Sequence, residues 1–401
     1  MPIFLKKPSR TRNTLLFASA THVWSDLAYA LTVPLLPLIQ SDPKLLLTYT
    51  QVGLLRSVFN GASAILQIPA GFLAEQLGEF WLLIGGNIWV AAGIIGMAAA
   101  SSYFVLLLIT FIGGLGGSTQ HPLATSMVSR AYDDAGRSTA VGTVNFAGDL
   151  GKLAAPVIAM LLAVKYGWRF TMRVVGIGGL VFMVLATFVR GSLSLSRNVA
   201  NISKSDGTNI GVTYLHAFII LNIIGFLDSG TRGAALTFLP FIMKNKSLGD
   251  EHIFVMLLFL LSGGAAGKFI CGWLNERYES VSLIWVTKAM TVGLLIATLA
   301  TPTYWLAPLM LLLGIGLNGT SSILYSSVSA FIPPVRRTRG YGYFYTTTEI
   351  GGTVAPIFYG RLADLFGLRL AVFVMGGITA LILPISLALH SPLKEYSNIE
   401  N

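Results

Sequence analysis

What most constrains this chain is the recurrence of apolar stretches of about 20 residues along nearly its whole length, each long enough to cross the hydrocarbon core of a bilayer. They fall near 14–39, 50–74, 80–100, 103–129, 139–164, 169–189, 213–243, 252–275, 281–301, 304–332, 340–363 and 368–389. Strands of an outer-membrane barrel would be about half as long and would alternate polar with apolar residues, which these runs do not. Charged residues make up 11% of the 401, against roughly a quarter in soluble domains, and mean hydropathy is +0.71. The pattern predicts an all-α membrane protein of twelve transmembrane helices with no room for a soluble domain.

The basic start "LKKPSRTR" followed by an apolar run has the outline of a signal peptide, with "AYA" at 28–30 as a cleavage site. His22 and Asp26 interrupt that run, and Pro34 and Pro37 continue it past the cut, so a first span is the better reading. With an even span count, Lys6, Lys7, Arg10, Arg12, Arg130, Arg137, Arg190, Arg197, Lys204, Arg336, Arg337 and Arg339 share one side of the membrane. That side is expected to be cytoplasmic, with both termini there. The formal charge of +10 then suits an anionic lipid leaflet and calls for no nucleic acid. Cys271 is the only cysteine, which excludes an intrachain disulfide.

The longest interval without a span, about 190–212, is rich in Ser, Asn and Gly and reads as a flexible cytoplasmic linker. It divides the chain into an N-terminal six-helix half, 1–189, and a C-terminal half, 213–401. The halves match at a constant shift of 200 residues: Gly116 with Gly316, Ser126 with Ser326, Arg137 with Arg337, Gly151 with Gly351, Ala155-Pro156 with Ala355-Pro356, Gly167 with Gly367, and Arg169 with Arg369. Six spans per half make this a parallel repeat, so the expected architecture is two six-helix pseudo-repeats around a central cavity, with the binding site near the midplane.

Ionisable groups at mid-bilayer cost about 2.5–3.5 kcal/mol each on insertion scales unless they face water or a partner, so those within spans are candidate functional groups. "GDLGKLAAP" at 148–156 places Asp149 and Lys152 in a run with no other charge between Arg137 and Lys165. Helical spacing puts Asn145, Asp149, Lys152 and Pro156 on one face of the fifth span, and His22, Asp26 and Tyr29 on one face of the first. Asp228 and Arg232 lie one turn apart in the seventh, and Tyr341, Tyr345 and Glu349 form a stripe in the eleventh. Asp26, Asp149, Glu349 and His121 are the candidates for proton coupling. Substrate-binding candidates are His22, Tyr29, Asn145, Lys152, Asp228, Arg232, Lys268, Tyr325, Tyr341 and Tyr345. Plainer alternatives stand beside these: a packing ion pair for Asp149 and Lys152, a kink for His121-Pro122, and a snorkelling side chain for Lys268; Lys288 is read as structural or snorkelling.

The twelve-span, six-plus-six plan with a basic central loop resembles the major facilitator superfamily over essentially the whole chain. "GFLAEQLGEFW" at 71–81 looks like that family's loop motif after the second span, and "GWLNER" at 272–277 like its copy after the eighth. The resemblance implies a conformational role for Gly71, Glu75, Gly78, Gly272, Glu276 and Arg277; Pro156 and Pro356, the repeated Ala-Pro device, allow a kink in their spans. Gln76 and Glu79 stand where the family carries basic residues, which weakens the implied charge latch in the first half. "GGLGGSTQHPLATSMVSRAY" at 113–132 is similar to the fourth span of fosmidomycin-resistance-like members, and "GKLAAP" resembles a fifth-span antiporter motif, with Ala155 where that motif has Gly.

No P-loop, zinc-ligand spacing or nucleophile elbow is present, so the expectation is a non-enzyme with no cofactor and no metal. The reading that follows is a secondary active transporter in the cell membrane, of the bacterial inner-membrane kind. It would move a small polar or anionic organic solute by alternating access, coupled to H+ and functional as a monomer. Two alternatives remain open: proton-antiport efflux of a drug or metabolite, and a transport-inactive sensor with the same fold.

Overall fold

The computed structural model describes residues 9–66, 69–70, 73–74, 77–132, 134–194, 215–332 and 337–394, and among them no strand occurs. Helix α1, Ser9–Gln40, runs unbroken through the Ala-Tyr-Ala sequence and holds Pro34 and Pro37 inside it. A proline frees the carbonyl one turn back; beyond the helix end, Ser41 Oγ donates to the Pro37 carbonyl at 2.8 Å. Helix α2, Tyr49–Ile65, covers the first part of the run at 50–74, and the described residues 69–70 and 73–74 are helical as well. Gly71 and Glu75 of the loop motif lie outside the described residues, as does most of the interval read as a linker.

Helix α3 spans Glu79–Ala99. The single fourth span becomes α4, Tyr103–Leu115, a 3-10 turn over Gly116–Thr119, and α5, Gln120–Ala131. Pro122 supplies the reason: it has no N–H for the carbonyl of Ser118, so the ladder tightens there. Helix α6, Asp134–Ile158, contains Pro156 and passes through a π turn at Ala159–Ala163 into α7, Val164–Thr187. A bend at Gly167, φ 79°, separates the expected fifth and sixth spans.

Helices α8, Leu215–Asn245, α9, Asp250–Leu274, α10, Ser280–Ala297, and α11, Leu306–Phe331, follow. Then come α12, Arg337–Phe366, α13, Leu368–Ala380, and the short α14, Ile382–Leu387. Gly367, φ 85°, makes the α12–α13 turn just as Gly167 makes its own. Both positions need a left-handed backbone that a side chain disfavours, and they are 200 residues apart.

Nine helices among the described residues are long and apolar enough to cross a membrane, one being the 139–187 run that Gly167 divides. Helix α2 is too short for that measure, and α12 too rich in Tyr, Thr and Gly. Phe104 and Phe269 stand exposed on helix surfaces, as side chains facing lipid tails would. The molecule is an all-α, multi-pass membrane protein.

The chain forms two compact units, one of Met1–Leu46 with Val58–Ser205, the other of Leu47–Ser57 with Asp206–Asn401. In the first, α1 lies along α6 and α3 along α7; in the second, α8 lies along α12 and α10 along α13. The start of α2 belongs to the second unit, where Asp364 caps it by accepting from the Tyr49 and Thr50 N–H groups, both at 2.8 Å. The repeat reaches individual hydrogen bonds. Asn87 Nδ2 donates to Gln120 Oε1 at 2.8 Å in the first unit, and the corresponding Thr287 and Thr320 hydroxyls meet at 2.7 Å in the second.

Candidate functional site

The first unit gathers five ionisable side chains from three helices. On α1, His22 and Asp26 are one turn apart, with His22 Nε2 and Asp26 Oδ2 at 3.6 Å and both residues buried. From α5, His121 brings Nδ1 to 3.1 Å from His22 Nε2 and Nε2 to 3.7 Å from Asp26 Oδ1. From α6, Lys152 places Nζ 3.0 Å from Asp26 Oδ2 and 3.2 Å from Asp149 Oδ1. Lys152 is thus a bridge between two carboxylates on different helices, a wider role than the local pair its spacing predicts.

Glycine makes this approach possible. A Cβ on Gly148 would sit 2.5 Å from Asp26 Oδ2 and 2.8 Å from His22 Nε2, and one on Gly151 would overlap the Val23 carbonyl. Small residues let helix backbones meet closely in a membrane, and here they press α6 against the charged face of α1. The His121 side chain is 55% exposed while that of Asp26 is 4%, so the cluster has an open end and a closed one. Donor atoms of His22, Asp26 and His121 lie within 4.8 Å of one another. The Lys152 ammonium occupies the carboxylate face a metal ion would need, so the set suits a proton better than a metal.

The second unit has its own cluster. Lys288 of α10, fully buried, is in short contact with Asp228 Oδ1 of α8. Arg232 NH1 lies 3.7 Å from Asp228 Oδ2, and its NH2 donates to Ser229 Oγ at 3.3 Å. Of the two readings of Lys288, structural or snorkelling, the structure excludes the second, because its ammonium ends inside the bundle on a carboxylate. A lone lysine in an apolar span already signals an acid on another helix; which acid is not visible from spacing.

Aromatic side chains stand beside this cluster. Tyr325 and Tyr345 rings are 5.0 Å apart, Tyr341 and Tyr345 rings 6.4 Å, and the Tyr341 hydroxyl donates to the Tyr325 carbonyl at 3.1 Å. The charges of Arg232, Glu349 and Asp228 act on the Tyr325 hydroxyl. Glu349 itself is exposed on α12.

Other sequence candidates fall outside both clusters. Tyr29 packs on Phe59 with ring centroids 5.4 Å apart, Asn145 is exposed, and Lys268 is half-buried, its carbonyl accepting from Ser322 Oγ at 3.0 Å. Gly78 has φ 79°, Glu276 and Arg277 are exposed, and Arg277 covers the Trp273 ring at 4.2 Å. A Cβ on Gly272 would make ordinary contact with the Ser322 Cβ at 4.0 Å, and Pro156 and Pro356 are buried within their helices. Glu79, out of pattern in the loop motif, pairs with Arg130 at 3.1 Å, an ion pair between α3 and α5. Spacing also missed Asp42, which accepts from Trp168 Nε1 at 3.0 Å and Arg169 Nε at 3.1 Å.

Comparison with known proteins agrees with this architecture. Residues 18–208 and 221–399 match the family model of the Major Facilitator Superfamily. The fosmidomycin resistance protein of Escherichia coli is 24% identical over 323 residues, 79% of this chain and 78% of that protein. The gentisate transporter of Corynebacterium glutamicum is 25% identical over 349 residues, 83% of this chain and 78% of that protein. Among solved structures, a bacterial homologue of the human lysosomal transporter Spinster, in an inward-facing and unoccupied conformation, superposes with a TM-score of 0.82. It covers 98% of this chain and 99% of its own at 17% identity, a likeness of fold.

Proposed function

Because this chain belongs to the major facilitator superfamily, a family of transporters and not of enzymes, we propose that it moves a small polar or anionic organic solute by alternating access, driven by a proton gradient. The observation that carries this reading is the buried Asp26 with His22, His121 and Lys152 gathered around it. Groups that exchange protons, placed where charge is costly, are the means by which a proton biases one conformation over another. The proton sites are drawn from Asp26, Asp149, His121 and Glu349. Arg232 with Tyr325, Tyr341 and Tyr345 supplies a cation beside aromatic faces for a carboxylate-bearing solute. The name of the gentisate relative supports an organic acid and the bacterial relatives an inner membrane of that kind, while the Lys and Arg distribution supports cytoplasmic termini.

The test is flux into proteoliposomes. With labelled gentisate as the first trial solute, wild-type vesicles should accumulate it against its gradient when a pH difference is imposed, and a protonophore should abolish the effect. Asp26→Asn should remove accumulation. Accumulation indifferent to the pH difference would defeat proton coupling; no flux for any of a panel of organic acids would favour the sensor reading.

A second reading, proton-antiport efflux, is favoured by the kinship with the fosmidomycin resistance protein. It predicts that solute leaves vesicles as protons enter, so reversing the imposed gradient in the same assay separates the two.

A further inference from the structure

The proton-driven reading leaves open which atom carries the proton. Asp26 is the obvious carboxylate, yet its Oδ2 already holds the Lys152 ammonium at 3.0 Å. An ammonium so close already occupies the oxygen that a proton on Asp26 would need. The two imidazoles are placed differently: His22 Nε2 and His121 Nδ1 are 3.1 Å apart, so in the neutral pair one nitrogen donates and the other accepts.

The surroundings select the direction of that bond. His121 Nε2 faces Asp26 Oδ1 at 3.7 Å, which favours a proton on Nε2 and leaves Nδ1 bare to accept from His22 Nε2. The opposite arrangement would aim a bare His121 nitrogen at a carboxylate and put an N–H on His22 Nδ1. That atom is buried without a hydrogen-bond partner among the described residues, and a buried unpaired donor costs about 1–3 kcal/mol.

We propose that the transported proton binds at His121 Nδ1, and that its arrival moves His22 from an interhelical bond with His121 to an intrahelical one with Asp26. The exposed imidazole, whose side chain is 55% accessible, is where the proton enters the cluster. Once Nδ1 is protonated it accepts nothing, so His22 Nε2–H turns to Asp26 Oδ2, which is 3.6 Å away on the same helix. One N–H···N bond between α1 and α5 is lost and one N–H···O bond within α1 replaces it; release of the proton reverses the exchange. The charges acting on His22 are Asp26, His121, Lys152 and Asp149, drawn from all three helices of the cluster. Asp26 and Lys152 are positioning residues, and Gly148 keeps α6 close enough for them to act. A single proton thereby sets whether His22 is bonded to α5 or to its own helix, while Gln120 Nε2 of α5 still donates to Thr21 Oγ1 of α1 at 3.3 Å and His121 Nε2 still faces Asp26; two such bonding states are an element of the kind that couples ligation to conformation.

The inference rests on the proton-driven reading but has a separate test. In the full-length protein in detergent, ring 15N signals of His22 and His121 are followed between about pH 5 and 8, where imidazoles titrate, together with the Asp26 carboxyl 13C signal. Both imidazoles should change in one coupled step, His121 Nδ1 gaining a proton as His22 keeps its own on Nε2, while Asp26 stays ionised. Two silent imidazoles beside a titrating Asp26 would overturn the assignment without touching proton coupling. In vesicles that show accumulation driven by the pH difference, His121→Gln should reduce it to passive equilibration, and His22→Gln should shift its pH profile. Accumulation that survives His121→Gln overturns the inference alone, and wild-type vesicles indifferent to the gradient overturn the reading beneath it.

Discussion

At the scale of single residues, burial turns charges into commitments. Lys288 and Asp228 are both buried, and removing one partner strands the other in a medium that solvates it poorly. Lys288→Met should destabilise the protein by about 3–5 kcal/mol, toward the lower end because Arg232 also reaches Asp228. Replacing both partners with apolar residues should restore much of the loss; unfolding in mixed micelles measures each. Exchanging Asp149 with Lys152 is a sharper test than spacing suggests. Were the two only a local pair, the exchange would be silent, but it would set a carboxylate at position 152 facing Asp26, so loss of stability and of transport together is the expected outcome. The i, i+3 relation was legible in the sequence. The third partner was not, because it arrives from another helix.

At the scale of helices, close approach and turns carry the predictions. A Cβ on Gly151 would overlap the Val23 carbonyl, and one on Gly351 the Phe226 carbonyl, whereas Gly178 has open space around it. Gly151→Ala and Gly351→Ala should each lower the melting temperature, and Gly178→Ala should leave it unchanged or slightly raised, as glycine disfavours helix interiors by about 0.5–1 kcal/mol. The loop after α1 depends on pH. Burial pushes the Asp42 carboxyl up, but the Lys44 N–H, Trp168 and Arg169 outweigh it and hold it below the usual carboxylate range. A folded value below the unfolded one of about 3.9 means stability that is present above that value and lost as pH falls through the folded one. Asp42→Asn should therefore be less stable than wild type at neutral pH, and the difference should shrink in strong acid; melting curves across pH check this. The repeat at a shift of 200 foretold the matched turns at Gly167 and Gly367. It did not foretell that the end of α3 is held by Arg169, donating to the Ala98 and Ala100 carbonyls, while Lys246 holds the region after α10 through those of Leu299 and Thr301. Position was repeated; the residue doing the work was not.

At the scale of the whole molecule, the orientation read from basic loops is open to direct measurement. In a Cys271→Ser background, a cysteine placed at residue 200 should react with an impermeant thiol reagent only from the cytoplasmic side, and one placed at 247 only from the opposite side. The reverse labelling would invert the proposed topology. By itself the sequence determined that the chain is a helical membrane protein built from a repeat, because span length, apolarity and a register of matching residues are properties of the chain read in one dimension. It also marked most of the ionisable residues that cluster, since charge inside an apolar run is conspicuous. Only the tertiary structure decided the partners: His22 with His121, Lys152 with Asp26, Lys288 with Asp228. Those pairings depend on which helix faces which and on how closely glycine lets their backbones approach, and no periodicity within one helix encodes either.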